Sequence, residues 1–174
     1  YFVFCLWFLR KSDFVFAQDA TSAGLPSAIA AKIFRKKYIV RIGGDLLWER
    51  VMENEEKFLS FAEYYRRDYH LADRPVLFRL IRYVLRGAEK IVVPTPLLKE
   101  VYEKYYGIQS DKIKVILNPV ELSRFTATAL PDGEPIILLS SRFVAYKNLK
   151  FVLKVFDRVW RKLNQGQLIL AGEG

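Results

Sequence analysis

The sequence predicts an α/β fold of doubly wound parallel sheets, and three observations predict it. Short apolar runs alternate with stretches of helical periodicity from Phe14 to Leu170, as in chains of β-α-β units. One such unit reads IILLSSRFVAYKNLKFVLKVFDRVWRKLNQGQLILAGEG, residues 136–174. Polar or glycine-bearing turns at Gln18, Gly43, Thr95 and Ser141 follow the strands, on the side where open α/β sheets place their ligands.

In chain order, the apolar run Tyr1–Leu9 is too short to span a bilayer. It reads as a core helix rather than the tail of a signal sequence, because Arg10-Lys11-Ser12-Asp13 leads straight into a strand. Phe14–Ala17 is that strand, and the small residues of Ala23–Ala31 make a helix that can pack closely. Tyr38–Ile42 is the next strand, ended by Gly43-Gly44-Asp45, where glycine lets backbone or ligand come near. Leu46–Arg67 reads as a helix with a solvated charged face, Glu53 and Lys57 being spaced as an i,i+4 pair. His70, in HLADRP, reads as a surface residue. Pro75 starts the helix Val76–Leu85, with Arg79, Arg82 and Arg86 on one stripe and Val76, Leu77, Leu80, Ile81 and Val84 on the other. Ile91–Val93 is a strand, Leu97–Tyr106 a helix stopped by Gly107, and Ile113–Leu117 a strand. Asn118-Pro119 is a crossover, and Thr126–Glu134 is a polar surface loop. Ile136–Leu139 and Leu168–Leu170 are buried strands joined by the helix Lys150–Leu163, so they should be parallel with a right-handed crossover.

Composition limits the chemistry. The net charge of +9 favours anionic partners. One cysteine excludes an internal disulfide, a single histidine leaves no zinc set, and Cys5 reads as a buried apolar residue. The cations are scattered and no nucleic-acid recognition motif is present, so nucleic acid ranks last among partners.

Two polar clusters fall at strand ends, Gln18-Asp19 with Thr21, and Asp45 with Trp48 and Glu49. Each aspartate also has a simpler reading as a helix N-cap. Arg142 and Lys147 flank the turn after Ile136–Leu139, and the helix behind them points its positive end at the same spot. Together these suit a diphosphate, although on spacing alone the simpler reading is two solvated cations on a βα loop.

S-R-F-V-x-x-K-N-L, followed by a helix and L-x-L-A-G-E-G, resembles the donor-site signature of family 4 glycosyltransferases, usually G-R-L-x-x-x-K-G. L-N-P-V-E-L-S-R-F resembles the family's N-G-V-D-x-x-x-F, which opens the second domain. The resemblance implies the GT-B fold, two Rossmann-like domains. Residues 1–118 would be the later part of the N-terminal, acceptor-side domain and residues 119–174 the start of the C-terminal, donor domain. The chain is then a fragment truncated at both ends, expected to lack activity alone, with the rest of the donor pocket beyond Gly174.

The implied reaction moves a sugar from a nucleotide-sugar to a saccharide or lipid-linked saccharide, with retention and with neither metal nor cofactor. Arg142 and Lys147 match the positions that hold the donor diphosphate, while Ser141 and Asn148 replace the two glycines. Gly172, Glu173 and Gly174 would lie near the donor. Gln18, Thr21, Gly44, Glu49 and Thr95 would line the acceptor cleft, with Asp19 and Asp45 as catalytic candidates. Relatives often carry H-x-H or H-E and H-G where this chain has Gln18-Asp19 and Gly44-Asp45, so no catalytic histidine carries over. Polysaccharide biosynthesis in the cytoplasm, at the inner face of the membrane, is the implied setting. The rivals are a GT-B nucleotide-sugar epimerase, and a non-catalytic module binding an anionic membrane through Arg79, Arg82 and Arg86.

Overall fold

The structure, a computed structural model, describes residues 2–53, 59–126 and 133–174, and omits the side chains of Phe2 and Cys5. The reading of Cys5, the Glu53–Lys57 pair and most of the 126–134 loop fall outside the described residues. The chain divides into two compact units, one of residues up to Glu49 and from Leu59 to Pro119, the other chiefly from Val120 to Gly174.

In the first unit the elements run α1 (Phe2–Leu9), β1 (Phe14–Ala17), α2 (Gly24–Phe34), β2 (Lys37–Arg41), α3 (Leu46–Met52), α4 (Phe61–Arg66), α5 (Tyr69–Ala72), α6 (Pro75–Gly87), β3 (Lys90–Val93), α7 (Pro96–Lys104) and β4 (Ile113–Val115). The described strands form a parallel sheet ordered β1-β2-β3-β4. Its register sets Ala17, Val40, Ile91 and Ile113 side by side, and all four are buried. This row is the apolar floor of the core, as expected of β-branched residues in a covered sheet.

The small-residue pattern of α2 has the expected use. Gly24, Ser27, Ala28, Ala30 and Ala31 are buried, and a Cβ on Gly24 would stand 2.5 Å from the Asp19 carbonyl oxygen and 3.1 Å from Val84 of α6. Only glycine admits that approach. On α6 the buried stripe is Phe78, Ile81, Val84 and Leu85, while Val76 and Leu80 stay exposed. Arg82 turns inward to donate from Nε to the Tyr106 carbonyl at 2.9 Å.

Three readings are corrected. The stretch 46–67 is two helices, α3 ending at Met52 and α4 starting at Phe61 behind Ser60, whose hydroxyl caps the Glu63 N–H. Helix α1 forms and packs on α2, yet Val3, Phe4, Trp7 and Phe8 face outward and Leu9 is buried. His70 is 2% exposed, not a surface residue, with its ring 4.9 Å from Tyr65, 5.1 Å from Phe78 and 5.3 Å from Tyr105. A ring among polar neighbours in sequence is buried by aromatic residues of the flanking helices and by Tyr105 much further along the chain, which periodicity does not reveal.

In the second unit β5 (Ile136–Ser140) and β6 (Gln167–Ala171) pair in parallel across α8 (Leu149–Leu163) as expected, but they are not buried. Ile136, Ile137, Leu138 and Ile169 are exposed, because a two-stranded sheet beside one helix has too little around it to cover both faces. Among the described residues, no helix of the chain is long and apolar enough to cross a membrane.

Candidate functional site

At the carboxyl ends of β1 and β2, a cavity of about 190 Å³ is lined by Asp19, Thr21, Gly44, Asp45, Glu49 and Tyr106, with Ile42, Ile81 and Tyr102 among its apolar walls. The polar residues come from separate loops that the parallel sheet brings to one edge. Five of the sequence-predicted residues meet here: Asp19, Thr21, Gly44, Asp45 and Glu49. Two do not. Gln18 is exposed outside the lining, and Thr95 is exposed with its hydroxyl capping α7 by accepting from the Leu98 N–H at 3.3 Å.

The two aspartates occupy opposite environments. Asp19 is tied to its own loop: its carboxylate accepts from the Thr21 N–H at 2.6 Å, the Ser22 hydroxyl at 2.5 Å and the Ala23 N–H at 3.1 Å. Partial burial would raise its pKa, but these donors outweigh it and hold the carboxyl below its ordinary value. Asp45 is 4% exposed. One oxygen caps α3 through the Trp48 N–H at 2.9 Å, and the other accepts from the Tyr65 hydroxyl. Burial pushes its pKa up against the pull of those donors. Asp45 is thus cap and cavity wall at once, so the two readings of it were not exclusive.

Behind Asp45 lies an aromatic layer that sequence reasoning missed. The Tyr65 hydroxyl also stands 3.2 Å from that of Tyr106, which reaches the cavity wall. Burial and the Asp45 charge raise the pKa of Tyr65 and Tyr106, so both remain protonated donors. A signal was present in the doublets Tyr64-Tyr65 and Tyr105-Tyr106, but nothing in their spacing ties them to Asp45. A Cβ on Gly44 would lie 2.3 Å from Glu49 Oε1, so Gly44 makes room for that carboxylate. Among the described residues, no group of three or more His, Cys, Asp or Glu side chains is placed to hold a metal ion.

His70, in the same layer, gives the site a pH signature. Burial holds its imidazole below its ordinary pKa, with the Asp68 charge opposing. The unfolded chain therefore takes up the proton first on acidification. Stability from neutral His70 is intact above about pH 6.5 and is lost as pH falls through the lower folded-state value. Thermal melts between about pH 7.5 and pH 5 should show a steeper fall of Tm in the wild type than in His70→Phe. Parallel slopes would refute a buried neutral imidazole.

In the second unit, Arg142 and Lys147 both meet Tyr146, another residue the sequence did not single out. Arg142 donates to the Tyr146 hydroxyl at 2.8 Å, and Lys147 Nζ sits 5.4 Å from the ring centre. All three border the short helical turn Ala145–Lys147 immediately before α8. Asn148, which enters α8, has φ 52°, a left-handed conformation that glycine takes freely and asparagine tolerates. This explains how it stands in a glycine position.

Gly172 and Gly174 lie against the chain's own backbone. Pairing continues beyond β5 and β6, with the Ser141 N–H donating to Ala171 at 3.0 Å and the Phe143 N–H to Glu173 at 2.9 Å. A Cβ on Gly172 would stand 1.9 Å from the Ser141 carbonyl oxygen, and one on Gly174 2.8 Å from that of Phe143. What comes close to these glycines is the chain's own backbone. Glu173 is exposed between them.

Residues 4–124 match the family model described as Glycosyltransferase Family 4. The crystal structure of a glycosyltransferase from Rickettsia africae ESF-5 superposes with a TM-score of 0.55 at 16% identity, covering 97% of this chain and 49% of that one. The chain thus spans about half the length of that structure. At that identity the likeness shows the fold alone, an α/β architecture with parallel sheets like that of GT-B glycosyltransferases. No curated protein matches the chain.

Proposed function

The chain belongs to glycosyltransferase family 4, and on that premise we propose that it serves transfer of a sugar from a nucleotide-sugar to a hydroxyl of a saccharide or lipid-linked saccharide. The observation that carries this reading is the cavity at the β1 and β2 strand ends, where Asp19, Asp45, Glu49 and Thr21 converge. Carboxylates there accept hydrogen bonds from sugar hydroxyls, and Tyr102 and Tyr106 offer apolar ring surface. The opposed shifts divide the roles. Asp45, raised, assists removal of the hydroxyl proton, whereas Asp19, held low and fully engaged, fixes the loop that shapes the pocket.

Donor binding falls to the second unit. Arg142 and Lys147, gathered on Tyr146 ahead of α8, meet the diphosphate and stabilise the charge that grows on it as the sugar departs. Retention of anomeric configuration and independence of metal follow the family resemblance. So does a setting in polysaccharide biosynthesis at the inner face of the membrane.

The test is product analysis in the intact transferase. Nucleoside diphosphate should be released only with acceptor present, and NMR should find the donor's anomeric configuration kept in the product. Epimerised donor formed without acceptor would overturn the proposal in favour of an epimerase.

A further inference from the structure

Asp45 does not hold its orientation unaided. Its oxygens receive donors from two elements, the Leu47 and Trp48 N–H groups of α3 and the Tyr65 hydroxyl of α4. Tyr64, Tyr65 and Tyr106 are fully buried or nearly so, and Tyr65 is packed edge-on against Phe61 at 5.4 Å and Tyr64 at 5.2 Å. Its hydroxyl can therefore do little but point at Asp45 and at the hydroxyl of Tyr106. With the Tyr65 proton directed at the carboxylate, Tyr106 must donate to Tyr65. The chain of hydroxyls then runs one way, from the cavity wall through the core to Asp45, and each bond polarises the next.

We propose that Tyr65 is a positioning residue for sugar transfer: its buried hydroxyl, backed by Tyr106, fixes the Asp45 carboxylate in one rotamer with free lone pairs facing the acceptor cavity. This rests on the reading of that cavity as the acceptor site. A carboxylate held only by the Leu47 and Trp48 N–H groups could still cap α3 while turning away from the cavity. The hydroxyl selects among those orientations and stabilises the charged form of Asp45. The titratable groups around Asp45 are Tyr64 and Tyr65 on α4, Glu49 on α3, Tyr102 on α7, Tyr106 just beyond the end of α7, and Asp19 across the cavity. Neither Asp19 nor Glu49 can replace the lost donor, since both are carboxylates.

The experiment follows the Asp45 carboxyl carbon by NMR in aspartate-labelled protein across a pH titration, with Asp45→Asn assigning the resonance. Tyr65→Phe keeps the ring and removes only the hydroxyl. It should raise the Asp45 midpoint by about one pH unit, the loss of one charge-assisted hydrogen bond. Tyr106→Phe leaves Tyr65 in place and should move it by a smaller amount in the same direction, which also decides the matter if Tyr65→Phe does not fold. A midpoint unmoved in the folded variants would overturn the proposal. In the intact transferase, Tyr65→Phe should lower kcat and move the acid limb of its pH profile with the NMR midpoint. A purely structural role would leave that limb in place. Wild-type transfer rates in Asp45→Asn would overturn the acceptor-site reading itself, and the positioning role with it, whereas an immobile NMR midpoint with transfer still lost in Asp45→Asn would remove only the role of Tyr65.

Discussion

Asp45→Ala should lower the unfolding free energy of the chain by about 3 kcal/mol. The carboxylate is 4% exposed and takes the Trp48 N–H and the Tyr65 hydroxyl. Alanine removes the cap of α3 and takes the charged acceptor from the buried Tyr65 hydroxyl, leaving it only the more distant Tyr106 hydroxyl at 3.2 Å. A buried donor left without its charged acceptor loses about 1.5–3 kcal/mol, and a lost cap adds about 1. Asp45→Asn keeps one cap oxygen and the volume, so it should lose less than half as much while abolishing the charge. Urea denaturation of the three proteins checks the order. Equal stability of wild type and Asp45→Ala would show that the Tyr65 hydroxyl finds another partner and that the aspartate is no anchor.

Lys147→Ala should cut kcat/KM for transfer at least tenfold in the intact transferase, and Arg142→Ala at least as much. Both cations are exposed, and both lie on Tyr146 before α8. Their effect is therefore expected in binding and charge stabilisation of the diphosphate, with little change in Tm. Arg142 offers a planar fork for two oxygens and Lys147 a single mobile charge, so Arg142→Lys should recover only part of the activity. An unchanged kcat/KM in Lys147→Ala would refute its assignment to the donor.

The strand-end turns were legible because they depend on local chemistry. Apolar runs, glycines and caps announce where each strand stops, and a parallel sheet must bring those stops to one edge. That reasoning located Asp19, Thr21, Gly44, Asp45 and Glu49 around one cavity. The family resemblance placed Gln18 and Thr95 there too, but a motif match does not say which side chain at a strand end turns inward. Thr95 turned out to cap α7. Gly172 and Gly174 were marked as special, but the sequence could not say that Ser141 and Phe143 are what they accommodate.

By itself the sequence determined the α/β class, the order of the strands, the two cations before α8 and the acidic strand ends. These follow from the pitch of the backbone and from residues within a turn of each other. Tertiary structure alone decided that His70 lies inside and that Tyr65 and Tyr106 stand behind Asp45. The Asp45–Tyr65 and Tyr65–Tyr106 contacts join residues 20 and 41 positions apart. Such partners are chosen by how helices pack over the sheet, and local periodicity carries no record of that choice.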